Sequence, residues 1–246
     1  ATIPRNVSVI DLFGLPEAHA KSLLPNAFQI VLDRIKPERM ENNRKVYRDN
    51  WWIFGEPRKE LRPALKQLNR YIATVQTSKH VTFQFLPKSI LPDATLIAIC
   101  IDDAASLALL SSNHHVAWAL ASGGWLGIGN DPRYNHSRCF NPFPFPDLTY
   151  PQRTHLRQLG EDLDAHRKRQ QAAHPKLTLT QMYNVLEKLR AGETIEGKDK
   201  DIYDQGLIGI LRDLHDQIDA AVADAYGWPV DLSDEDILLR LVALNN

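Results

Sequence analysis

Only two cysteines, Cys100 and Cys139, occur in 246 residues, one in an apolar run and one among loop-forming residues. They make neither a disulfide framework nor a zinc spacing, and both read as free thiols. Long hydrophobic runs are missing too. "LIAICI" (Leu96–Ile101) and "VAWALA" (Val116–Ala121) fall far short of the roughly 20 residues that span a bilayer, and no charged-then-apolar export segment precedes them, so a cytoplasmic location without membrane contact is expected. No glycine-rich strand-to-helix turn for a nucleotide or methyl donor is present, and no Gly-Lys-Ser/Thr phosphate loop. A Gly-x-Ser-x-Gly elbow and a His-Glu-x-x-His zinc helix are equally absent. The chain is therefore expected to hold no metal and no cofactor, and to carry no catalytic residue. An excess of one charge is lacking as well: the net charge of −1 argues against a protein that coats nucleic acid indiscriminately.

What is present is an ordinary folded composition, 43% hydrophobic and 24% charged, with its charge unevenly distributed. From Arg44 to Lys88 the chain carries Arg44, Lys45, Arg48, Arg58, Lys59, Arg62, Lys66, Arg70, Lys79 and Lys88 against Asp49, Glu56 and Glu60. From Asp213 to Asp236 the acidic residues dominate and no Lys or Arg occurs. The first stretch can face phosphates; the second is repelled by them.

Patterning divides the chain further. The N-terminal stretch interrupts short apolar pieces with Pro4, Pro16, Pro25 and Pro37 and reads as an extended, partly helical entry segment lying across another surface. "PRKELRPALKQL" has helical spacing, "HVTFQFL" alternates like a half-buried strand, and "TLIAICI" has the length of a buried one. "ASLALLSSNHHVAWALASGG" is helical up to Gly123-Gly124, where the helix should stop. "GNDPRYNHSRCFNPFPFP" (Gly129–Pro146) reads as a loop, and its closing prolines forbid both helix and central strand. From Pro151 the pattern is helical and charged, with Thr180 and Ser233 at expected N-caps.

Several constellations invite a chemical reading. "NPFP" (Asn141–Pro144) nearly spells the Asn-Pro-Pro-aromatic signature of amino-group DNA methyltransferases, in which the aromatic residue stacks on a flipped base. Phe143 stands where the second proline belongs, so a proline-stiffened exit from a domain is the better account. His114 and His115 point about 100° apart on a helix and have no third ligand at metal spacing. His215, Asp216, Asp219 and Asp224 suggest a metal-dependent phosphohydrolase, but without a second His-rich helix they read as a solvated acidic face opposite Leu211, Leu214, Ile218 and Val222. Trp51 and Trp52 could stack on bases, although paired tryptophans are more often core.

"IKPERMENNRKVYRDNWWIFGEPRKELRPAL" (Ile35–Leu65) resembles the segment that follows the catalytic domain in MmeI-like (type IIL) restriction–modification enzymes and related adenine-specific DNA methyltransferases. The likeness continues through "RYIATVQTSKHVTFQFLP", "LALLSSNHHVAWALASGG", "GNDPRYNHSRCFNPFPFP" and "GLIGILRDLHDQIDAAVADAYGWP", over nearly the whole chain. It implies an α+β architecture: a connector from an upstream catalytic domain (residues 1–44), a mixed DNA target-recognition domain (45–150) and an all-helical C-terminal domain (151–246), the end at "LVALNN" being a truncation. The implied partners are double-stranded DNA and the upstream methyltransferase domain of the same protein, where S-adenosylmethionine would bind. In that family, side chains just before an "RYS"-like tripeptide reach base edges. Here the tripeptide is "RYN" (Arg133–Asn135), so Arg133 and Asp131 take the readers' places, and Gly129 stands where relatives carry an acidic reader. Arg pairs bidentately with guanine, Asn130 can pair with adenine, and Asp131 can accept from the cytosine amino group. Arg44, Lys45, Arg48, Arg58, Lys59, Arg62, Lys66, Arg70 and Lys79 would then hold the DNA backbone without reading sequence. The rival expectation, favoured by the near-neutral charge and the acidic C-terminal helices, is a helical docking scaffold for a protein partner without DNA readout.

Overall fold

The computed structural model describes residues 7–126 and 131–245. Two compact units divide the chain at Pro63 and Ala64.

The first unit, residues 3–63, contains the short helices α1 (Glu17–Leu23), α2 (Pro25–Arg34), α3 (Lys36–Met40) and α4 (Lys45–Asp49). Prolines begin them rather than break them: Pro25 and Pro37 sit in first turns, where the missing N–H has no helical partner anyway. This segment, expected to be partly extended, has a core of its own made of Leu12, Ala20, Phe28, Val31 and Trp51. Trp51 meets Phe28 edge-on with ring centroids 5.4 Å apart, and Trp52 donates its indole N–H to the Leu15 carbonyl at 2.9 Å. The tryptophan pair is structural.

The division falls inside α5 (Leu61–Leu65), all that forms of the longer helical pattern around it. The second unit then builds a three-stranded antiparallel sheet from β1 (Arg70–Val75), β2 (Gln84–Pro87) and β3 (Leu96–Ile99) in the order β2-β1-β3. After it come α6 (Ala104–Ser111), α7 (Asn113–Ser122), a ribbon of β4 (Gly124–Leu126) and β5 (Asp131–Arg133), and a π-helical turn, His136–Phe140. The remaining helices are α8 (Tyr150–Ala173), α9 (Leu179–Arg190), α10 (Gly197–Gly206), α11 (Ile208–Tyr226) and α12 (Asp234–Leu244). The α+β class holds, with a helical C-terminal part. Among the described residues no helix is long and apolar enough to cross a membrane.

Helix α8 welds the sheet to the helices. Its start is fixed by a reciprocal capping box between Thr149 and Gln152, with Pro151 in the first turn. Leu156, Leu159 and Leu163 bury against Ala105, Ala108 and Leu109 of α6 and against Leu211, Ile218 and Val222 of α11. Gly160 makes the close approach possible: a Cβ there would lie 2.0 Å from the Ala104 carbonyl oxygen. Arg153 and Arg157 pair with Asp103, which also caps α6 by accepting from the Ala105 N–H at 3.1 Å. On the sheet side, Asp164 accepts from the Phe85 N–H (3.0 Å), Lys168 donates to the Phe85 carbonyl (2.7 Å) and Arg167 donates to the Phe83 carbonyl (2.5 Å). β2 is an edge strand, and these side chains satisfy backbone groups that would otherwise invite pairing with another chain.

Two helix starts differ from the sequence pattern. The apolar run Ala105–Ser122 is two helices, because Ser112 adopts extended backbone (ψ 156°) and its hydroxyl accepts from the His115 N–H to begin the second. The cap of α9 is Thr178, not Thr180: Thr178 and Gln181 form a capping box, and the helix gains the turn that buries Leu179. Ser233 caps α12 as expected.

Candidate nucleic-acid interface

The stretch expected to be a loop is instead a short ribbon and a helical turn, fastened from several directions. At the end of α7, Gly123 allows an approach no other residue could make, since a Cβ would stand 2.6 Å from the Ala119 carbonyl oxygen and 2.9 Å from that of Arg133. β4 then pairs antiparallel with β5 in the register Gly124↔Arg133, Trp125↔Pro132 and Leu126↔Asp131. On its other side β5 is held by the chain leaving β1: Thr77 pairs with Arg133, the Tyr134 N–H donates to the Gln76 carbonyl at 2.9 Å, and the Ser78 N–H donates to the Pro132 carbonyl at 3.4 Å.

The next residues anchor the ribbon in the core. Tyr134 is buried, and its hydroxyl shares a 3.0 Å hydrogen bond with His115 Nε2. His115 is enclosed by Phe83, Phe143 and Tyr134, and burial pulls its pKa down to about 3, so the ring is neutral at working pH. Asn135 caps the π-helical turn by accepting from the Arg138 N–H at 2.8 Å, and the Cys139 thiol donates to the Ala119 carbonyl at 3.7 Å.

Strand alternation turns this anchoring into a display. Pro132 is buried, so its neighbours Asp131 and Arg133 share the opposite face. Arg133 is exposed, and no hydrogen bond or ion pair among the described residues engages either its guanidinium or the Asp131 carboxylate. A fork of donors and an acceptor thus stand two residues apart on a backbone that cannot easily shift. Asn130 and Gly129 lie outside the described residues.

The nine cations expected on a phosphate backbone are in different situations. Arg62 pairs with Asp11 at 2.7 Å, donates to the Pro57 carbonyl and lies over the Phe13 ring; Arg70 pairs with Glu161, donates to the Asp102 carbonyl and lies 3.6 Å from the centre of the Phe85 ring. Lys79 reaches Asn184 and Glu187, Arg58 pairs with Glu56, and Arg48 donates to the Asn42 carbonyl. Arg44 leans over Tyr47 but stays exposed. Lys45, Lys59 and Lys66 are exposed and make no ion pair among the described residues.

The other constellations are structural. Phe143 of "NPFP" is 3% exposed, packed between Trp118 and His115, so its ring is not free to stack on a base. His114 stacks between Tyr226 and Trp228, and burial lowers its pKa to about 4. The acidic face of α11 is solvated at Asp213, Asp216 and Asp224, whereas His215 is buried and bonded to the Tyr183 hydroxyl at 2.7 Å. Asp219 is largely withdrawn from solvent, accepts from the Asn113 N–H at 2.7 Å, and has its pKa raised to about 6 by burial. Among the described residues no cluster of His, Cys, Asp or Glu is arranged to hold a metal ion. A cleft of about 170 Å³ opens beside Lys79, Glu187, Arg190 and Asp219, but its charges are already paired within the protein. Sequence reasoning missed the His115–Tyr134 post, since two residues 19 apart carry no local signal of contact.

No curated protein matches the chain. Among solved structures, that of the type IIL restriction-modification enzyme MmeI in complex with DNA aligns with a TM-score of 0.66 over 96% of this chain and 28% of that one, at 16% identity, which shows a shared fold. The family model described as "MmeI, target recognition domain" matches residues 33–147, the stretch that contains the sheet, α6, α7 and the Asp131–Arg133 ribbon. Residues 33–147 are thus similar to the target recognition domain of MmeI, and beyond them the likeness is one of fold.

Proposed function

We propose that this chain is the sequence-specific DNA recognition module of an adenine-specific DNA methyltransferase or fused restriction–modification enzyme, with the methyl-transfer chemistry in an upstream domain of the same cytoplasmic protein. The observation that carries the reading is the exposed, unpaired Arg133 beside Asp131 on a ribbon pinned by α7, by residues 76–78 and by the buried His115–Tyr134 bond. Fixed donors and acceptors with no internal partner have the chemistry that major-groove base edges require. Asn130, next to them in sequence, belongs to the same reading set. Exposed cations, Lys45, Lys59 and Lys66 first among them, hold phosphates and set the register, joined by exposed Arg44 although it donates to the Tyr47 hydroxyl. Arg48, Arg58, Arg62, Arg70 and Lys79 contribute more weakly, because each already has a partner in the protein.

Two features support placing S-adenosylmethionine outside the described residues. Phe143 is buried, and the 170 Å³ cleft is small beside ligand sites of roughly 300–1,000 Å³. We assign the methyl donor to the upstream domain. The reading is tested by selecting duplexes from a random pool with this chain and sequencing them. Enrichment of one short site is expected; a pool indistinguishable from the input overturns DNA readout in favour of a protein-docking scaffold.

A further inference from the structure

The ribbon presents more than Asp131 and Arg133. In an antiparallel pair, residues directly opposite each other share a face with Cβ atoms about 4.5–5.5 Å apart. Leu126 is the cross-strand partner of Asp131, and Gly124 that of Arg133. The reading face is therefore a two-by-two patch of arginine beside a residue without a side chain, and carboxylate beside isobutyl. Leu126 is 41% exposed, and among the described residues none of the second unit's core clusters around the sheet, the helices or α12 includes it. In a major groove it has one good partner, because the C5-methyl group of thymine is the apolar feature among the hydrogen-bonding groups there.

Resting on the DNA-recognition reading above, we infer that Leu126 is a specificity-determining residue that packs on the C5-methyl of a thymine within one base-pair step of the base met by Asp131. Gly124 leaves the β4 side of Arg133 open, so only Thr77, its partner on the other side, flanks the guanidinium as it approaches a base edge. The patch thus reads a polar edge and a methyl group side by side. The missing methyl in uracil changes this contact without touching any Watson–Crick hydrogen bond, which makes it a clean probe.

The experiment uses the whole chain and the duplex site it selects from a random pool, with each thymine replaced in turn by deoxyuridine and binding measured by anisotropy. Expected is a loss of about fourfold in affinity at one position, the value of one buried methyl-sized group. Leu126→Ala should abolish the thymine-over-uracil difference at that position, and Leu126→Met should keep it. Failure to select any site overturns the recognition reading and this inference with it. A selected site that depends on Arg133 yet tolerates uracil everywhere, or a thymine preference that survives Leu126→Ala, overturns the inference alone.

Discussion

Arg133 and Asp131 stand side by side without the ion-pair partners that hold many charged residues of the second unit. Arg70, Arg153, Arg157 and Lys168 all have carboxylate partners, whereas these two have none among the described residues. If they meet base edges, Arg133→Ala or Asp131→Ala should relax preference at one base pair by roughly 1–3 kcal/mol while the rest of the site stays intact. Sequencing the duplexes each variant selects decides it, and unchanged preference at every position would remove the ribbon from the readout. The buried histidines act on stability instead. Burial holds His114 at a pKa of about 4 and His115 and His215 at about 3, well below the value of an unfolded chain. A depressed histidine stabilises the fold above about pH 6.5, and that contribution is lost as pH falls toward the folded value. Asp219, raised to about 6, works in the opposite sense: its contribution is complete below the unfolded carboxylate value and is lost as pH rises through 6. Three histidines outweigh one carboxylate, so stability should fall by about 2–4 kcal/mol between pH 7.5 and 5.5. Urea midpoints at the two pH values measure this, and a flat profile would refute it.

At the scale of elements, α8 meets α6 at Gly160, where a Cβ would lie 2.0 Å from the Ala104 carbonyl oxygen. Two effects compete in Gly160→Ala. Alanine favours the helix by about 1 kcal/mol over glycine, but its Cβ would overlap the Ala104 carbonyl and force the helices apart, at a cost of about 1–3 kcal/mol or more. A 2.0 Å contact with backbone cannot be relieved by a rotamer change, so overlap wins. The variant should unfold at lower denaturant than the parent, and an equal or higher midpoint would show that α8 can slide. The capping residues were partly legible in advance: Ser233 was, while Thr178 was displaced in expectation to Thr180. Either threonine can open the apolar pattern that includes Met182, and the burial of Leu179 and the reciprocal bond from Gln181 favour the earlier one.

For the whole molecule, the near-zero net charge conceals which cations are available. Of the nine cations expected on the backbone, Lys45, Lys59 and Lys66 are exposed and make no ion pair among the described residues, and these are the ones whose loss should matter to a polyanion. Changing each to Glu should weaken binding to all duplexes alike and lower the salt dependence by about one counterion for every phosphate that is no longer neutralised. Arg62→Ala should behave differently. Its guanidinium holds Asp11, the Pro57 carbonyl and the Phe13 ring, so destabilisation of the first unit is expected with little change in salt slope. Titrations at several salt concentrations, paired with melting curves, separate the two classes. An unchanged slope in the triple lysine variant would rule these residues out as phosphate ligands.

The sequence by itself determined the materials: which apolar runs become β3 and the helices, which prolines and glycines bound them, the absence of a cofactor turn, and the "DPRYN" stretch whose residue types suit base edges. Those depend on local propensity and on side-chain chemistry, both of which travel with the chain. Only the tertiary structure decided what is free and what is committed. It put Asp131 and Arg133 on one face of a strand where a loop was expected, because pairing with β4 and with residues 76–78 supplies the backbone bonds that a loop would leave to water. It withdrew Arg62 and Arg70 into ion pairs with Asp11 and Glu161, 51 and 91 residues away. It buried Phe143, and with it the methyltransferase-like stretch, against Trp118. Long-range partners of this kind leave no periodic trace in a sequence, since hydrogen bonds and ion pairs are fixed by distance in space and not by spacing along the chain.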